Sequence, residues 1–200
     1  MQKFNDYDNA KKEAQSQGGG PKLPAGAYVC KIEAVKYETT EYGDRIALRF
    51  DIAEGEQKDF FKKQYEANTS EDKKWKGRVN VFVPKDDGSD KDKITKKAFA
   101  SWTDSFEKSN AGYVWDWDEN KWKGKFVGIV FGETGTRIEN RDIIYVEPRF
   151  PIEVERVRNG SAPEAKFKAR DGYKGNISAA PVDANGFMNI PEGTEDEVPF

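Results

Sequence analysis

The chain has no histidine and one cysteine, Cys30, in 200 residues. These two gaps remove an intrachain disulfide, a Cys/His zinc site and every catalytic scheme that needs an imidazole. No run approaches the ~20 apolar residues of a membrane span, and Met1 to Gly20 lacks the apolar segment of a secretory signal. An intracellular, cytoplasmic protein is expected, and no cofactor is implied. Hydrophobic residues are sparse at 36 %, whereas aromatic residues reach 13 %. Rings must therefore fill the interior, with some left over for the surface.

Charge is unevenly divided. The net charge is −3, but from Gly175 onward there are five acids and no Lys or Arg, which leaves +2 on residues 1–174. A mildly basic body with an acidic tail binds nucleic acid only where positive charge is locally concentrated.

The tail ends in Gly193-Thr194-Glu195-Asp196-Glu197-Val198-Pro199-Phe200. Adjacent carboxylates repel one another and stay hydrated, while the Phe200 ring and its α-carboxylate form an apolar, anionic hook suited to another protein. This run resembles the C-terminal tip of bacterial and phage single-stranded-DNA-binding proteins. The resemblance implies that Asp196, Glu197, Val198, Pro199 and Phe200 recruit replication, recombination and repair enzymes. Valine stands where that family more often has isoleucine or leucine. Burying one Phe contributes about 1.5–3 kcal/mol, and a charge-assisted hydrogen bond to the carboxylate adds about as much. After ordering costs, an affinity on the order of micromolar to millimolar remains.

Residues 1–20, closing in Gln17-Gly18-Gly19-Gly20, read as a flexible arm. Leu23-Pro24-Ala25-Gly26-Ala27-Tyr28 then leads into a strand with Tyr28, Cys30, Ile32 and Ala34 on one face. That lead-in resembles the start of small phage replication-module proteins assigned to single-stranded DNA binding. After a turn at Tyr42-Gly43, Ile46, Leu48, Phe50 and Ile52 alternate inward against Arg45, Ala47, Arg49 and Asp51. Phe60 to Tyr65 is expected as a third strand, and Arg78 to Pro84 as a short extended piece. Between Asp92 and Ser109 the period becomes 3.6, with Ile94, Ala98, Phe99, Trp102 and Phe106 on one stripe of the only helix predicted. Strands follow at Phe126–Phe131 and Asp142–Glu147, with an edge strand at Ile152–Val157. Beyond Arg158 periodicity ceases.

This order predicts a mainly β protein, an OB-fold-like five-stranded Greek-key barrel with one helix. The expected layout is an arm over 1–20, a DNA-binding domain over 21–158, and a disordered linker with its recruiting tail over 159–200.

A sequence-tolerant binder of single strands needs surface rings for bases and cations for phosphates. Mapped onto the barrel, the ligand face takes Tyr42, Arg45, Arg49, Phe61, Lys63 and Tyr65, flanked by Arg137 and Arg141. Two lysine-embedded tryptophans supply further platforms: Trp75 with Lys73, Lys74 and Arg78, and Trp122 with Lys123. The function implied is a non-catalytic single-stranded-DNA-binding protein that coats and protects exposed strands and recruits partner enzymes. Its setting would be a bacterial host, as part of a phage replication or recombination module. Known members of the tip family form tetramers, and this chain departs from them in length and lead-in, leaving its oligomeric state open.

Two other classes compete. An OB-type adaptor would hold protein rather than DNA. A metal-dependent nuclease would draw on Asp116, Asp118, Glu119 and Lys121. Asp116, Asp118 and Asn120 also begin like a calcium loop, but Lys121 stands where glycine is needed and Val127 where the closing glutamate belongs. A polar turn between aromatic segments accounts for these residues more simply.

Overall fold

The computed structural model describes residues 22–69, 72–138, 141–170 and 172–175. Strands β1 (Gly26–Thr40) and β2 (Gly43–Ile52) form an antiparallel hairpin, with Ile32 opposite Phe50 and Val35 opposite Leu48. The inward row of β2 has the predicted outcome, Ile46, Leu48, Phe50 and Ile52 all being buried, but Asp51, expected on the outward row, is buried as well. β3 (Arg78–Phe82) pairs with β2, while β4 (Phe126–Ile138) pairs with β1 and β5 (Arg141–Ile152) with β4. The order is β3-β2-β1-β4-β5, antiparallel throughout. Among the described residues no pairing joins β3 to β5, so the protein is mainly β with an open sheet.

Phe60 to Tyr65 is not a strand. It belongs to helix α1 (Phe60–Ala67), and the third strand is instead Arg78–Phe82. The spacing of Phe60, Phe61, Gln64 and Tyr65 suits a helix, and the first turn is satisfied from a distance. The buried Asp51 carboxylate accepts from the backbone N–H groups of Phe61 and Lys62 at 3.0 Å each, and from Ile52 at 2.8 Å. Two otherwise orphaned helix donors are thereby paired.

Helix α2 (Asp90–Ser109) starts at Ser89, whose side chain accepts from the Asp92 N–H at 3.1 Å. Phe99, Trp102 and Phe106 are buried on its inner face, whereas Ile94 and Ala98, expected there, are exposed. The helix touches β3, β4 and β5. At Ile152 the chain leaves β5 and turns into α3 (Val154–Arg158) rather than continuing as an edge strand. The Val154 N–H donates to Ser109 Oγ at 3.0 Å, tying this turn to α2.

The described part of the segment beyond Arg158, residues 159–170 and 172–175, expected as linker, meets the body. β6 (Lys168–Ala169) runs parallel to β4 at Thr134 and Gly135. No helix among the described residues is long and apolar enough to cross a membrane.

Candidate nucleic-acid interface

The candidate site lies where the segment leading into β3 crosses the outer face of β1 and β2. Small side chains at Ala34 and Ala47 leave a depression of about 330 Å³, walled by Lys36, Arg49, Lys74, Trp75 and Arg78. Arg49 and Arg78 are paired across β2 and β3, so the sheet register brings two guanidinium groups to one place.

Trp75 is half-buried and fixed by its polar edge. Its Nε1–H donates to the Phe50 carbonyl at 3.0 Å and to the Gly77 carbonyl at 3.2 Å. Gly77 makes this approach possible: a Cβ there would lie 2.3 Å from the Phe50 oxygen and 2.7 Å from Phe61 Cδ2. The Phe50 N–H donates to the Gly77 carbonyl at 2.8 Å, holding the segment against β2.

Around the indole stand the Tyr65 ring, with centroids 5.8 Å apart, and the Arg49 guanidinium, 5.2 Å from the indole centroid. Lys73 Nζ lies 4.6 Å from the Tyr65 centroid. Four residues named from the sequence, Arg49, Tyr65, Lys73 and Trp75, thus form one contiguous constellation, and Lys74 and Arg78 border it.

Charge compensation is uneven. Arg45 is locked to Glu38 through Nε at 2.9 Å and Nη2 at 2.7 Å, and Lys36 lies 3.1 Å from the same carboxylate. Hydrogen bonds from Arg45 and Lys36 hold the Glu38 carboxyl below its usual range. Arg49 contacts Glu33 at 3.3 Å. Lys73, Lys74 and Arg78 make no ion pair among the described residues, so their charge is available to a ligand. An exposed pair is worth only about 0–1 kcal/mol, and a phosphate can displace it.

The other residues named from the sequence are placed differently. Phe61 is buried and meets Phe50 edge to face at 5.5 Å, so it serves the core and offers no face to a base. Trp122 is fully buried and stacks on Phe106 at 4.5 Å, so it is no platform either. Lys123 beside it is exposed, but the ring it flanks is sealed in the core. Lys63 is exposed on α1 and donates to the Lys58 carbonyl at 2.7 Å. Tyr42 is 75 % exposed at the β1–β2 turn and lines a separate recess with Phe82, Lys85 and Lys91. Arg137 contacts Asp142 at 3.0 Å, and Arg141 opens β5 opposite Ile138. Asp196, Glu197, Val198, Pro199 and Phe200 lie outside the described residues.

Lys36 is the groove residue that sequence reasoning misses. Strict alternation would set it inward with Ala34 in the row of Cys30 and Ile32; the register shift between Ile32 and Ala34 turns Ala34 and Lys36 onto the outer face instead, which no period in the sequence announces.

The residues considered for metal chemistry are otherwise engaged. Lys121 pairs with Asp116, and Asp118 accepts from the Asn120 N–H at 3.1 Å, capping the short 3-10 turn Glu119–Trp122. Among the described residues no three His, Cys, Asp or Glu side chains gather as a cation site. Cys30 is buried, and burial raises its thiol pKa well above the ordinary value.

No model of a known protein family matches the chain, and no curated protein is similar to it.

Proposed function

We propose that this protein binds single-stranded DNA without catalysis, coating and protecting exposed strands and recruiting partner enzymes through its acidic C-terminus. The observation that carries the reading is the Trp75 indole, held by two backbone carbonyls beside the Tyr65 ring and bordered by Arg49, Lys73, Lys74 and Arg78. Unpaired bases offer π faces to such rings, and the phosphates follow the cations. Duplex DNA keeps its bases stacked inside and would engage the cations alone.

The strand order supports an OB-type barrel. A three-strand meander, with a fourth strand beside the first and the main helix before it, is the connectivity of that fold and the connectivity here. In this reading the β1–β2 face forms part of the ligand surface. Work in the bacterial cytoplasm, for a phage replication or recombination module, fits the resemblance of the tail.

The test is a titration of intrinsic tryptophan fluorescence with oligo(dT) and with duplex of equal length. Quenching by the single strand at much lower concentration than by the duplex is expected; equal response to both would reject the reading. Removing residues 193–200 should tighten binding at low salt, because tail and DNA are both anionic. A protein adaptor is the second reading, favoured by Trp117, 79 % exposed over Phe99, and by Val114, 72 % exposed. Absence of any quenching or band shift would turn the assignment to it.

A further inference from the structure

Residues 165–174 repeat the grammar of the groove. Lys166, Phe167, Lys168 and Arg170 are followed by Tyr173 and Lys174, so rings are interleaved with cations. The fold holds the segment's described residues, 165–170 and 172–174, against the body. β6 pairs with β4, and the Arg170 N–H donates to the Gly135 carbonyl at 2.9 Å. The rings of Phe167 and Tyr173, with centroids 5.5 Å apart, sit on Gly135. A Cβ at Gly135 would lie 2.7 Å from Phe167 Cζ and from Tyr173 Cε2, so only glycine seats them. Yet Phe167 remains 46 % exposed. With Tyr173 beside it, that exposed ring is part of an aromatic pair open to a ligand.

Its electrostatics point to an anion. The ammonium groups of Lys166, Lys168 and Lys174 are exposed and make no ion pair among the described residues. Arg170 contacts Glu147 at 2.9 Å and lies 5.6 Å from the Tyr145 ring centroid. Tyr145 in turn lines a cleft of about 580 Å³ at the open side of the sheet, opposite Lys76. Lys76, next to Trp75 in sequence, and Tyr145, next to Arg170 in space, both line this cleft, which therefore adjoins the Trp75 groove on one side and the Phe167 surface on the other.

We propose that Lys166, Phe167, Lys168, Tyr173 and Lys174 form a second stacking platform for the same single-stranded polynucleotide, reached from Trp75 across this cleft. The proposal rests on the nucleic-acid reading of the Trp75 groove. Phe167 and Tyr173 stack on bases, and Lys166, Lys168 and Lys174 hold phosphates on either side. An OB-type module covers about 4–16 nucleotides, and the second platform places this chain in the upper part of that range.

The experiment measures the affinity of the full chain for dT oligomers of about 8 and about 24 nucleotides, one short of the upper end of that range and one beyond it. Two variants are compared with wild type and with Trp75→Ala. One is Phe167→Ala with Tyr173→Ala; the other is Lys166→Gln with Lys168→Gln and Lys174→Gln, which touches no packed group. Each should weaken binding of the long oligomer by about 5- to 100-fold and leave the short one within about 2-fold. The lysine variant should also flatten the salt dependence by about 2 in logarithmic slope, at about 0.7 for each phosphate it no longer neutralises. Long-oligomer affinity unchanged by the lysine variant but reduced by Trp75→Ala overturns the second platform and leaves the groove standing. Wild type that binds neither oligomer overturns both. If circular dichroism shows the ring variant unfolded, the lysine variant decides alone.

Discussion

Trp75 and Trp122 have nearly the same local sequence, each with lysine immediately before and after it, and opposite fates. Trp122 is fully buried, stacked 4.5 Å from Phe106 and 4.9 Å from Trp115. Trp75 is half-buried beside a cationic depression. The difference comes from what each backbone is tied to. The turn carrying Trp122 is bonded into β1, with the Gly124 N–H donating to Ile32 and the Ile32 N–H to Lys125. Its indole is thereby driven inward over α2, while Lys121 and Lys123 stay outside. Trp75 is tied by its indole N–H to carbonyls of Phe50 and Gly77, which leaves the ring lying along the sheet surface. Flanking lysines mark where charge can go, not where the ring goes.

The largest separation between the two should appear in stability. Trp122→Ala removes a closely packed core ring and should cost about 3–5 kcal/mol, a large share of the about 5–15 kcal/mol that holds a domain together. Trp75→Ala loses a hydrogen bond and part of its packing, about 1–2 kcal/mol. Denaturant midpoints of the two variants test this; equal shifts would mean Trp75 is as much a core residue as Trp122.

Binding should reverse the ranking. A stacked base is worth about 1–3 kcal/mol by alanine substitution. Trp75→Ala should therefore raise the dissociation constant for oligo(dT) by about 5- to 100-fold, while Trp122→Phe, which keeps an interior ring, should bind as wild type. Weakened binding by Trp122→Phe together with full affinity in Trp75→Ala would invert the assignment.

The surrounding lysines sharpen the same contrast more gently. Lys73→Gln with Lys74→Gln should lower the slope of log affinity against log salt by about 1.4, at about 0.7 per phosphate. Lys121→Gln with Lys123→Gln should leave it unchanged, since Lys121 already pairs with Asp116 and the indole between the two lysines is buried.

What could be read in advance follows the range of the interactions involved. The buried row of β2 and the inner face of α2 were legible because period and burial are local properties. Helix α1 was not, since two of its first N–H groups are satisfied by Asp51, which lies before the turn. The groove was half legible. Arg49, Lys73 and Trp75 announced themselves as cations and a ring, but their meeting depends on the β2–β3 register and on Gly77, a residue without chemistry of its own. Residues 165–174 read as linker because a two-residue strand has no measurable period. Their attachment depends on Gly135, some thirty positions earlier.

The smallest effect concerns pH and again falls on one side only. Tyr113 packs against the core around Trp122, and Lys125 Nζ lies 4.0 Å from its ring centroid. Burial pushes its hydroxyl up to about 12; the charges of Asp116, Glu107 and Asp118 reinforce this, and the Trp122 indole opposes it. An unfolded tyrosine loses its proton near pH ~10. Between about 10 and 12 the native chain therefore holds a proton that the unfolded chain releases, and stability, complete below that window, falls as pH rises through it. Tyr113→Phe keeps the ring and its contact with Lys125 but removes the titrating group. Its denaturant midpoint should fall less steeply than wild type across that window, and an identical fall would place the linkage on other tyrosines. Because the variant lies in the Trp122 region, binding of oligo(dT) below the window should stay at the wild-type level.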